Sequence, residues 1–337
     1  MGISRHLAAN GITLLIVGLV VAGGLLEAAR SSFSDPGPLA EETVIEVPSG
    51  ANLSRVSSVL SDAGAISQPL IFRAAARLNG DDERLKRGCY TLPAGASMEV
   101  ILGLVTDSGS AQACYRATFQ INSRGVRVRI EDAQAGAGRE TLELAEGVER
   151  VTEALSESSA IGLRVAVAEG LTVRDVMTGI AAVPFLEGDL PEAPSEGMLA
   201  PDTYEIEPGG TPTDLVARMV AVQERRIAAA WEARNPDVPL ENTDALLALA
   251  SIIEKETGVA EERRTIAGVF VNRLERGMRL QTDPTIIYGI TRGGDPMDRP
   301  ISRADINGVT EQRLHGQVAY NTYQIDGLPP GPIANPG

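Results

Sequence analysis

The longest uncharged stretch of the chain lies near its N-terminus and limits what this segment can become. Residues 11–26 read GITLLIVGLVVAGGLL, and no Asp, Glu, Lys or Arg occurs between Arg5 and Glu27. A helix needs about 20 consecutive apolar residues to span a bilayer, so we predict a transmembrane helix over residues 11–29. A cleaved signal peptide is the competing interpretation. The long apolar region and the poor small-residue cleavage site at LEAA, residues 26–29, disfavour it.

The flanking charges predict the orientation of this helix. Arg5 precedes the apolar stretch, and acidic, proline-bearing sequence follows it. The positive-inside rule therefore places a tail of residues 1–10 in the cytoplasm and the rest of the chain outside. We expect a single-pass protein of the cytoplasmic membrane, whose bulk is periplasmic in a bacterium with an outer membrane. Residues 30–42, rich in Ser, Pro and Asp, then form a linker.

Composition and missing motifs exclude several functional classes. The net charge of -15 argues against a nucleic-acid partner, because binding a phosphate backbone needs a basic patch. The chain has two histidines, His6 and His315, and no HExxH, GxSxG or GxxxxGK[ST] motif. Metalloprotease, α/β-hydrolase and P-loop chemistries are poor fits. We therefore predict no metal and no cofactor.

The hydrophobic periodicity predicts an α+β fold outside the membrane helix. Residues 43–108 show strand, helix, helix, strand and helix patterns, which make a small α+β module. Residues 109–190 form a connecting region with a hairpin at 116–131, a Gly/Ala loop at 132–139, a strand at 163–167 and a helix at 172–180. The segment 184–212 is rich in Pro, Gly and acids, so we place a boundary near 190. A mixed α+β domain follows over 191–337.

Cys89 and Cys114 are the only cysteines of the chain. An oxidising compartment would permit a disulfide between them. Two unpaired thiols are the alternative, because sequence spacing does not give the distance between the Cα atoms.

A carboxylate ends an apolar helix in the segment SIIEKETG, residues 251–258. At ~100° per residue, Glu256 falls in line with the apolar residues Leu249 and Ile252, whereas Glu254 points away as solvated surface. Burial and the negative end of the helix dipole both disfavour a charged carboxylate. We therefore expect Glu256 to keep its proton near neutral pH, as a general acid must. The alternative is a structural glutamate that reaches solvent or pairs with an arginine.

Two later segments combine polar and aromatic residues. MRLQTDPTIIYG, residues 278–289, places Gln281 and Asp283 on a turn set by Pro284, and AYNTY, residues 319–323, carries Tyr320 and Asn321. Such side chains hydrogen-bond hydroxyl groups and stack on sugar faces. The alternative is a turn and an edge strand with partly exposed core tyrosines.

These segments together resemble the YceG-like family, the MltG-type endolytic murein transglycosylases. The matching stretches are ASIIEKETGVAEERRTIAGVFVNRLERGMRLQTDPTIIYGI, ISRADI, AYNTYQIDGLPPGPIANPG, the upstream EGMLAPDTYEI, and KRGCYTLPAGAS in the first module. The resemblance implies a membrane anchor, a LysM-like subdomain over 43–108 and a catalytic domain over 191–337. It matches Glu256 to the family's catalytic glutamate, the second of EKET.

The resemblance implies a lytic transglycosylase, a carbon–oxygen lyase that acts on peptidoglycan. Such an enzyme cuts MurNAc-GlcNAc linkages within nascent glycan strands, leaves 1,6-anhydro-MurNAc ends and works beside peptidoglycan synthases. Gln281, Asp283, Tyr320 and Asn321 are the candidates to bind the sugars. Two alternatives stay open: a hydrolase that uses water, with Asp283 as second carboxylate, and a non-catalytic wall-binding assembly factor.

The chain departs from the family pattern in two places. Residues 114–159 are longer than the usual connection, which indicates an insertion. Family members also continue beyond the NPG at residues 335–337, so we expect the end of the catalytic domain to be missing.

Overall fold

The computed structural model describes residues 3–133, 139–157, 160–308 and 317–337, and it is an α+β protein. In chain order the elements are α1 (Ile3–Ser34), β1 (Thr43–Val47), α2 (Leu53–Asp62), α3 (Pro69–Asn79), β2 (Gly88–Leu92), α4 (Met98–Thr106), β3 (Tyr115–Asn122), β4 (Gly125–Asp132), β5 (Arg139–Glu143), α5 (Leu144–Glu157), β6 (Ile161–Val167), α6 (Val173–Ala181), β7 (Thr203–Ile206), α7 (Pro212–Ala233), α8 (Thr243–Glu256), α9 (Ala260–Glu275), α10 (Asp283–Thr291) and α11 (Arg303–Asn307). A short 3₁₀ helix covers Gln317–Tyr320.

The N-terminal apolar stretch forms the long helix α1. Among the described residues, α1 is the one helix long and apolar enough to cross a membrane, judged by length and composition. Between residues 16 and 26 its large apolar side chains are exposed, including Leu19, Val20 and Leu25, whereas Phe33 at its end packs against the core of the first unit. The exposed apolar part of α1 has the composition of a membrane span.

The chain divides into two compact units, of which the first comprises residues 1–116, 131–139 and 151–162. In this unit β1 and β2 pair antiparallel, with Thr43 opposite Leu92. Helices α2, α3 and α4 cover a core that includes the fully buried Phe72 and Tyr90. Local caps define two of these helices, because the side chain of Asn52 accepts from the Arg55 N–H and that of Ser97 from the Val100 N–H.

Cys89 and Cys114 are joined by a disulfide in this first unit, with their Cα atoms 4.9 Å apart. Both cysteines are buried and pack with Ala160 and the half-buried Val44. The disulfide closes a loop of 25 residues.

The second unit comprises residues 117–130, 140–150 and 163–337 and is built around a five-stranded sheet of order β5-β4-β3-β6-β7. Two glycines let helices approach this sheet closely. A Cβ added to Gly147 of α5 would lie 2.3 Å from the Cβ of Val128, and one added to Gly179 of α6 would lie 2.4 Å from a methyl carbon of Ile121. Strands β5 and β7 and helix α5 are absent from the sequence-based assignment. Residues 134–138 of the predicted Gly/Ala loop lie outside the described part.

Helices α7 to α10 complete the second unit and position the site. Asn242 caps α8 through a hydrogen bond from the Ala245 N–H, and the α8 residues Leu249 and Ile252 form a core with Phe270, Leu280 and Ile333. The C-terminal segment lies against α8, since the Ile333 N–H donates to the Ser251 hydroxyl at 3.0 Å. Pro284 lies in the first turn of α10, so the expected turn at this proline is a helix start.

Candidate active site

Glu256 is the last residue of α8, and its side chain is exposed. The expectation that Glu256 is the buried glutamate of this helix is therefore wrong. The helix ends directly after it, at Thr257, whose backbone is extended. The carboxyl thus projects from the negative end of the helix into an accessible position.

Glu254, expected to be solvated surface, is the more buried of the two glutamates. Its side chain is 9 % exposed and lies 3.5 Å from the Arg263 guanidinium of α9. It also accepts a hydrogen bond from the Gly337 N–H at 3.3 Å. The periodicity of α8 predicted the wrong glutamate to be buried because it reflects only the residues of α8, whereas α9 and the C-terminal segment cover the side of the helix that carries Glu254.

A buried hydroxyl holds the carboxyl of Glu256. Thr282 lies immediately before α10 and is 2 % exposed. Its Oγ1 donates a hydrogen bond to Oε1 of Glu256. Oε2 of Glu256 has no hydrogen-bond partner within the residues that the structure describes. One oxygen of the carboxyl is therefore oriented by the protein, and the other is available.

The two residues that flank Thr282 are both sequence-predicted site residues. Gln281 is exposed and adopts a left-handed backbone, with φ 52°. Asp283 is also exposed, and its Oδ1 accepts a hydrogen bond from the Tyr323 hydroxyl at 2.8 Å. Burial, Asp283 and then Glu256 raise the pKa of Tyr323 above its ordinary value. Gln281 and Asp283 thus flank the residue that bonds to Glu256, and Tyr323 bonds to Asp283.

Threonine hydroxyls join the two polar segments to each other. The Thr282 N–H donates to Thr322 Oγ1 at 3.0 Å, and the Gln281 N–H donates to the Thr322 carbonyl at 3.1 Å. Thr285 Oγ1 lies 2.9 Å from Thr322 Oγ1 and donates to the Thr282 carbonyl at 2.7 Å. Both Thr285 and Thr322 are fully buried. This cluster fixes the backbone that carries Thr282.

The structure places Tyr320 and Asn321 below the surface of this region. Tyr320 is half-buried, with its ring 4.9 Å from that of Tyr288 and the Arg292 guanidinium 4.6 Å from its centre. Asn321 is 2 % exposed, and its Nδ2 donates to the carbonyls of Asp305 and Ile306 of α11. Its side chain is thus engaged in holding α11.

Sequence reasoning missed a second carboxyl group in this unit. Glu196, in the EGMLAPDTYEI segment, accepts hydrogen bonds from the Val173 N–H at 2.8 Å and from the Tyr288 hydroxyl at 3.2 Å. Burial raises the pKa of Glu196 above its ordinary value and outweighs these donors. Sequence reasoning also missed the hydrogen bonds made by Thr282 and Thr322. The available signal was the presence of a threonine beside the predicted site residues in the motifs QTDPT, residues 281–285, and YNTY, residues 320–323.

The arrangement suits proton transfer to and from a bound molecule. An accessible carboxyl with one free oxygen can give a proton and take one back. Over the described ranges, no group of three or more His, Cys, Asp or Glu side chains has a geometry that could hold a metal ion.

Comparison with known proteins identifies the family to which this chain belongs. The sequence profile of the YceG-like family matches residues 115–337, which include every residue of this site. The chain belongs to the YceG-like family.

Curated relatives from two bacterial species carry the name "Endolytic murein transglycosylase". The one from Streptococcus pneumoniae serotype 2 (strain D39) is 28 % identical over 300 residues, which are 87 % of this chain and 50 % of the relative. The one from Bacillus subtilis (strain 168) is 26 % identical over 293 residues, which are 87 % of this chain and 72 % of the relative. The chain thus spans about half the length of the pneumococcal relative.

A crystal structure of a yceG-like protein from Listeria monocytogenes also aligns with this chain. It is 23 % identical, covers 88 % of this chain and 87 % of the other, and superposes with a TM-score of 0.41.

Proposed function

We propose that this protein is a membrane-anchored endolytic peptidoglycan lytic transglycosylase. Membership of the YceG-like family and the name of its relatives in two bacteria support this proposal. The observation that carries it is the accessible Glu256 carboxyl, with one oxygen held by the buried Thr282 hydroxyl. In this proposal α1 is the anchor, residues 43–108 are the LysM-like subdomain and residues 191–337 the catalytic domain, outside the cytoplasmic membrane.

The proposed reaction needs one carboxyl group that changes roles. Glu256 first protonates the oxygen that links C1 of MurNAc to C4 of GlcNAc, and the C1–O bond breaks as that oxygen leaves with the proton. The neighbouring N-acetyl group relieves the positive charge at C1. The Glu256 carboxylate then takes the proton of the C6 hydroxyl, whose oxygen bonds to C1 and closes the 1,6-anhydro ring. The enzyme regains its proton, and no water is consumed.

The residues around Glu256 divide by exposure into two proposed roles. Gln281 and Asp283 are exposed and flank Thr282, which bonds to Glu256, so we assign them contacts with the sugar hydroxyls. Tyr320 is half-buried and Asn321 is buried. In this proposal they support the sugar site by holding the loop that carries Thr322. Peptidoglycan synthases are the proposed protein partners, since they make the nascent strands that such an enzyme cuts.

Hydrolysis is the second candidate, and the position of Asp283 favours it. Asp283 is an exposed carboxyl next to the residue that touches Glu256. Paired carboxyl groups flank the scissile bond in most glycosidases, where one of them activates water or attacks the sugar. Such an enzyme would leave reducing MurNAc ends instead of anhydro ends.

The test incubates the full chain, in detergent or nanodiscs, with purified sacculi and analyses the soluble products by mass spectrometry. We expect anhydro-MurNAc ends from the wild type and none from Glu256→Gln. Glu254→Gln is the matched control, because it makes the same change two residues earlier in a side chain directed at Arg263. It should leave the product type unchanged. Reducing ends would establish the hydrolase, and sacculus binding without turnover would establish a non-catalytic wall-binding factor.

A further inference from the structure

We infer that Thr282 is a positioning residue that gives the two oxygens of Glu256 different tasks. Its hydroxyl donates a hydrogen bond to Oε1. Oε2 therefore carries the proton that is delivered to the glycosidic oxygen, and it later accepts the proton of the C6 hydroxyl. The inference rests on the proposed function, and it concerns Thr282, which lies directly between the sugar-contact candidates Gln281 and Asp283.

The hydroxyl hydrogens of Thr285 and Thr322 have acceptors within the threonine cluster. Thr285 Oγ1 donates its hydrogen to the Thr282 carbonyl at 2.7 Å. Thr322 Oγ1 then donates to Thr285 Oγ1 at 2.9 Å or to the Thr282 carbonyl at 3.4 Å, and it accepts from the Thr282 N–H at 3.0 Å. A hydroxyl carries a single hydrogen. Neither neighbouring threonine therefore competes for Glu256, and the Thr282 hydroxyl hydrogen points to Oε1.

The backbone keeps the Thr282 hydroxyl in this place. Thr282 is 2 % exposed, so its hydroxyl cannot turn to bulk solvent without breaking local packing. Gln281 has a left-handed φ of 52°, a conformation that a non-glycine residue adopts at a cost of about 1–2 kcal/mol. The bond from its N–H to the Thr322 carbonyl, at 3.1 Å, helps to maintain that conformation. A donor fixed in this way is preorganised before substrate binds.

The chemical consequence follows from what a hydroxyl donor prefers. With Glu256 protonated, Thr282 donates to the carbonyl oxygen, so the acidic hydrogen is on the other oxygen, Oε2. After the glycosidic bond breaks, the same hydroxyl stabilises the new carboxylate, because hydrogen bonds to charged acceptors are stronger than neutral ones. Oε2 then remains available to the C6 hydroxyl. Thr282 thus assists the step in which Glu256 is charged and directs both proton transfers to one oxygen.

The test compares three variants of the full chain on uncrosslinked glycan strands. Thr282→Val keeps the shape and removes the hydroxyl, and Thr282→Ser restores the hydroxyl. Thr285→Val is the matched control, because it makes the same change in the same buried cluster without a bond to Glu256. Each variant is measured for kcat, for KM and for the dependence of kcat/KM on pH, with thermal unfolding alongside.

We expect kcat of Thr282→Val to fall about ten- to a hundredfold with KM nearly unchanged, the effect of losing one hydrogen bond to a charged group. The dependence of kcat/KM on pH should change as well, because the charged carboxylate formed in the reaction has lost its donor. Thr282→Ser should restore both properties. Thr285→Val should lower the unfolding temperature and leave the pH profile in place.

Equal kcat values and equal pH profiles for Thr282→Val and Thr285→Val would overturn the inference. If Thr282→Val does not fold, Thr282→Ala takes its place against Thr285→Ala. The proposed function fails in a different way, by an inactive wild type or by an active Glu256→Gln. A wild type that needs Glu256 but tolerates Thr282→Val therefore refutes the role of Thr282 alone.

Discussion

Replacing Asn335 by alanine should destabilise the second unit more than any exposed asparagine substitution does. Asn335 is fully buried. Its Oδ1 accepts a hydrogen bond from the Leu199 N–H at 2.9 Å, and its Nδ2 donates to the Leu171 carbonyl at 2.8 Å. Two further bonds, from the Gly170 N–H to the Asn335 carbonyl and from the Asn335 N–H to Leu171, involve only backbone atoms and survive the substitution. The side chain thus joins three segments that are distant in sequence.

The loss of folding free energy in Asn335→Ala can be estimated from the backbone groups that lose a hydrogen-bond partner. The buried Leu199 N–H loses its partner, which costs about 1–3 kcal/mol, whereas the Leu171 carbonyl keeps the Asn335 N–H and loses one bond worth about 1 kcal/mol. The sum is about 2–4 kcal/mol. With a urea slope of about 3 kcal/mol/M, the unfolding midpoint should fall by about 1 M.

Trp231, the one tryptophan of the chain, supplies the assay because it lies in the same unit as Asn335. Urea unfolding followed by its fluorescence should show the lower midpoint for Asn335→Ala with an unchanged slope. Asn272→Ala, at an exposed position of α9, is the control and should stay within about 0.5 kcal/mol of the wild type. Equal midpoints for the two variants would refute the hydrogen-bond argument.

Three further outcomes are expected. Because burial raises the pKa of Glu196, the folded state holds this proton more tightly than the unfolded state, and stability falls as pH rises from the ordinary glutamate range through the raised pKa. Glu196→Gln should therefore gain stability relative to the wild type with rising pH in urea titrations, and a constant difference would contradict this. Reducing the disulfide of the first unit opens a 25-residue loop and should cost about 3–4 kcal/mol, seen as a lower thermal midpoint by circular dichroism; an unchanged midpoint would count against it. Gly179→Ala should destabilise the protein by about 1–3 kcal/mol, since the added Cβ would lie 2.4 Å from Ile121. Gly268→Ala, whose added Cβ would have nothing within 4 Å, should instead stabilise α9. If both variants shifted the thermal unfolding temperature in the same direction, the packing argument would be rejected.

Local signals sufficed for much of the fold. The strands Thr43–Val47 and Gly88–Leu92 have the bounds that alternation predicts. Helices α6, α7 and α8 begin at the capping residues Thr172, Thr211 and Asn242, which are visible in the sequence. Caps and periodicity act over a few residues, so a sequence displays them directly.

The site was only partly predictable. The sequence pointed to Glu256 and to the segment that carries Thr282, which the structure brings into contact, but it assigned burial to the wrong glutamate of α8 and did not predict the contact between Thr282 and Glu256. Strand β7 was missed because its four residues, Thr203–Ile206, are defined by pairing with β6, about 40 residues earlier. A short strand has little periodicity of its own, and its partner decides its state.

The sequence by itself determined the apolar N-terminal helix, the α+β composition and the family motifs, because each depends on the order of neighbouring residues. The tertiary structure decided which carboxyl is accessible and what holds it. Ser251 meets Ile333 across 82 positions, and Glu256 meets Thr282 across 26. Burial and hydrogen bonding depend on which distant segments cover a helix, and the periodicity of that helix alone does not contain this information.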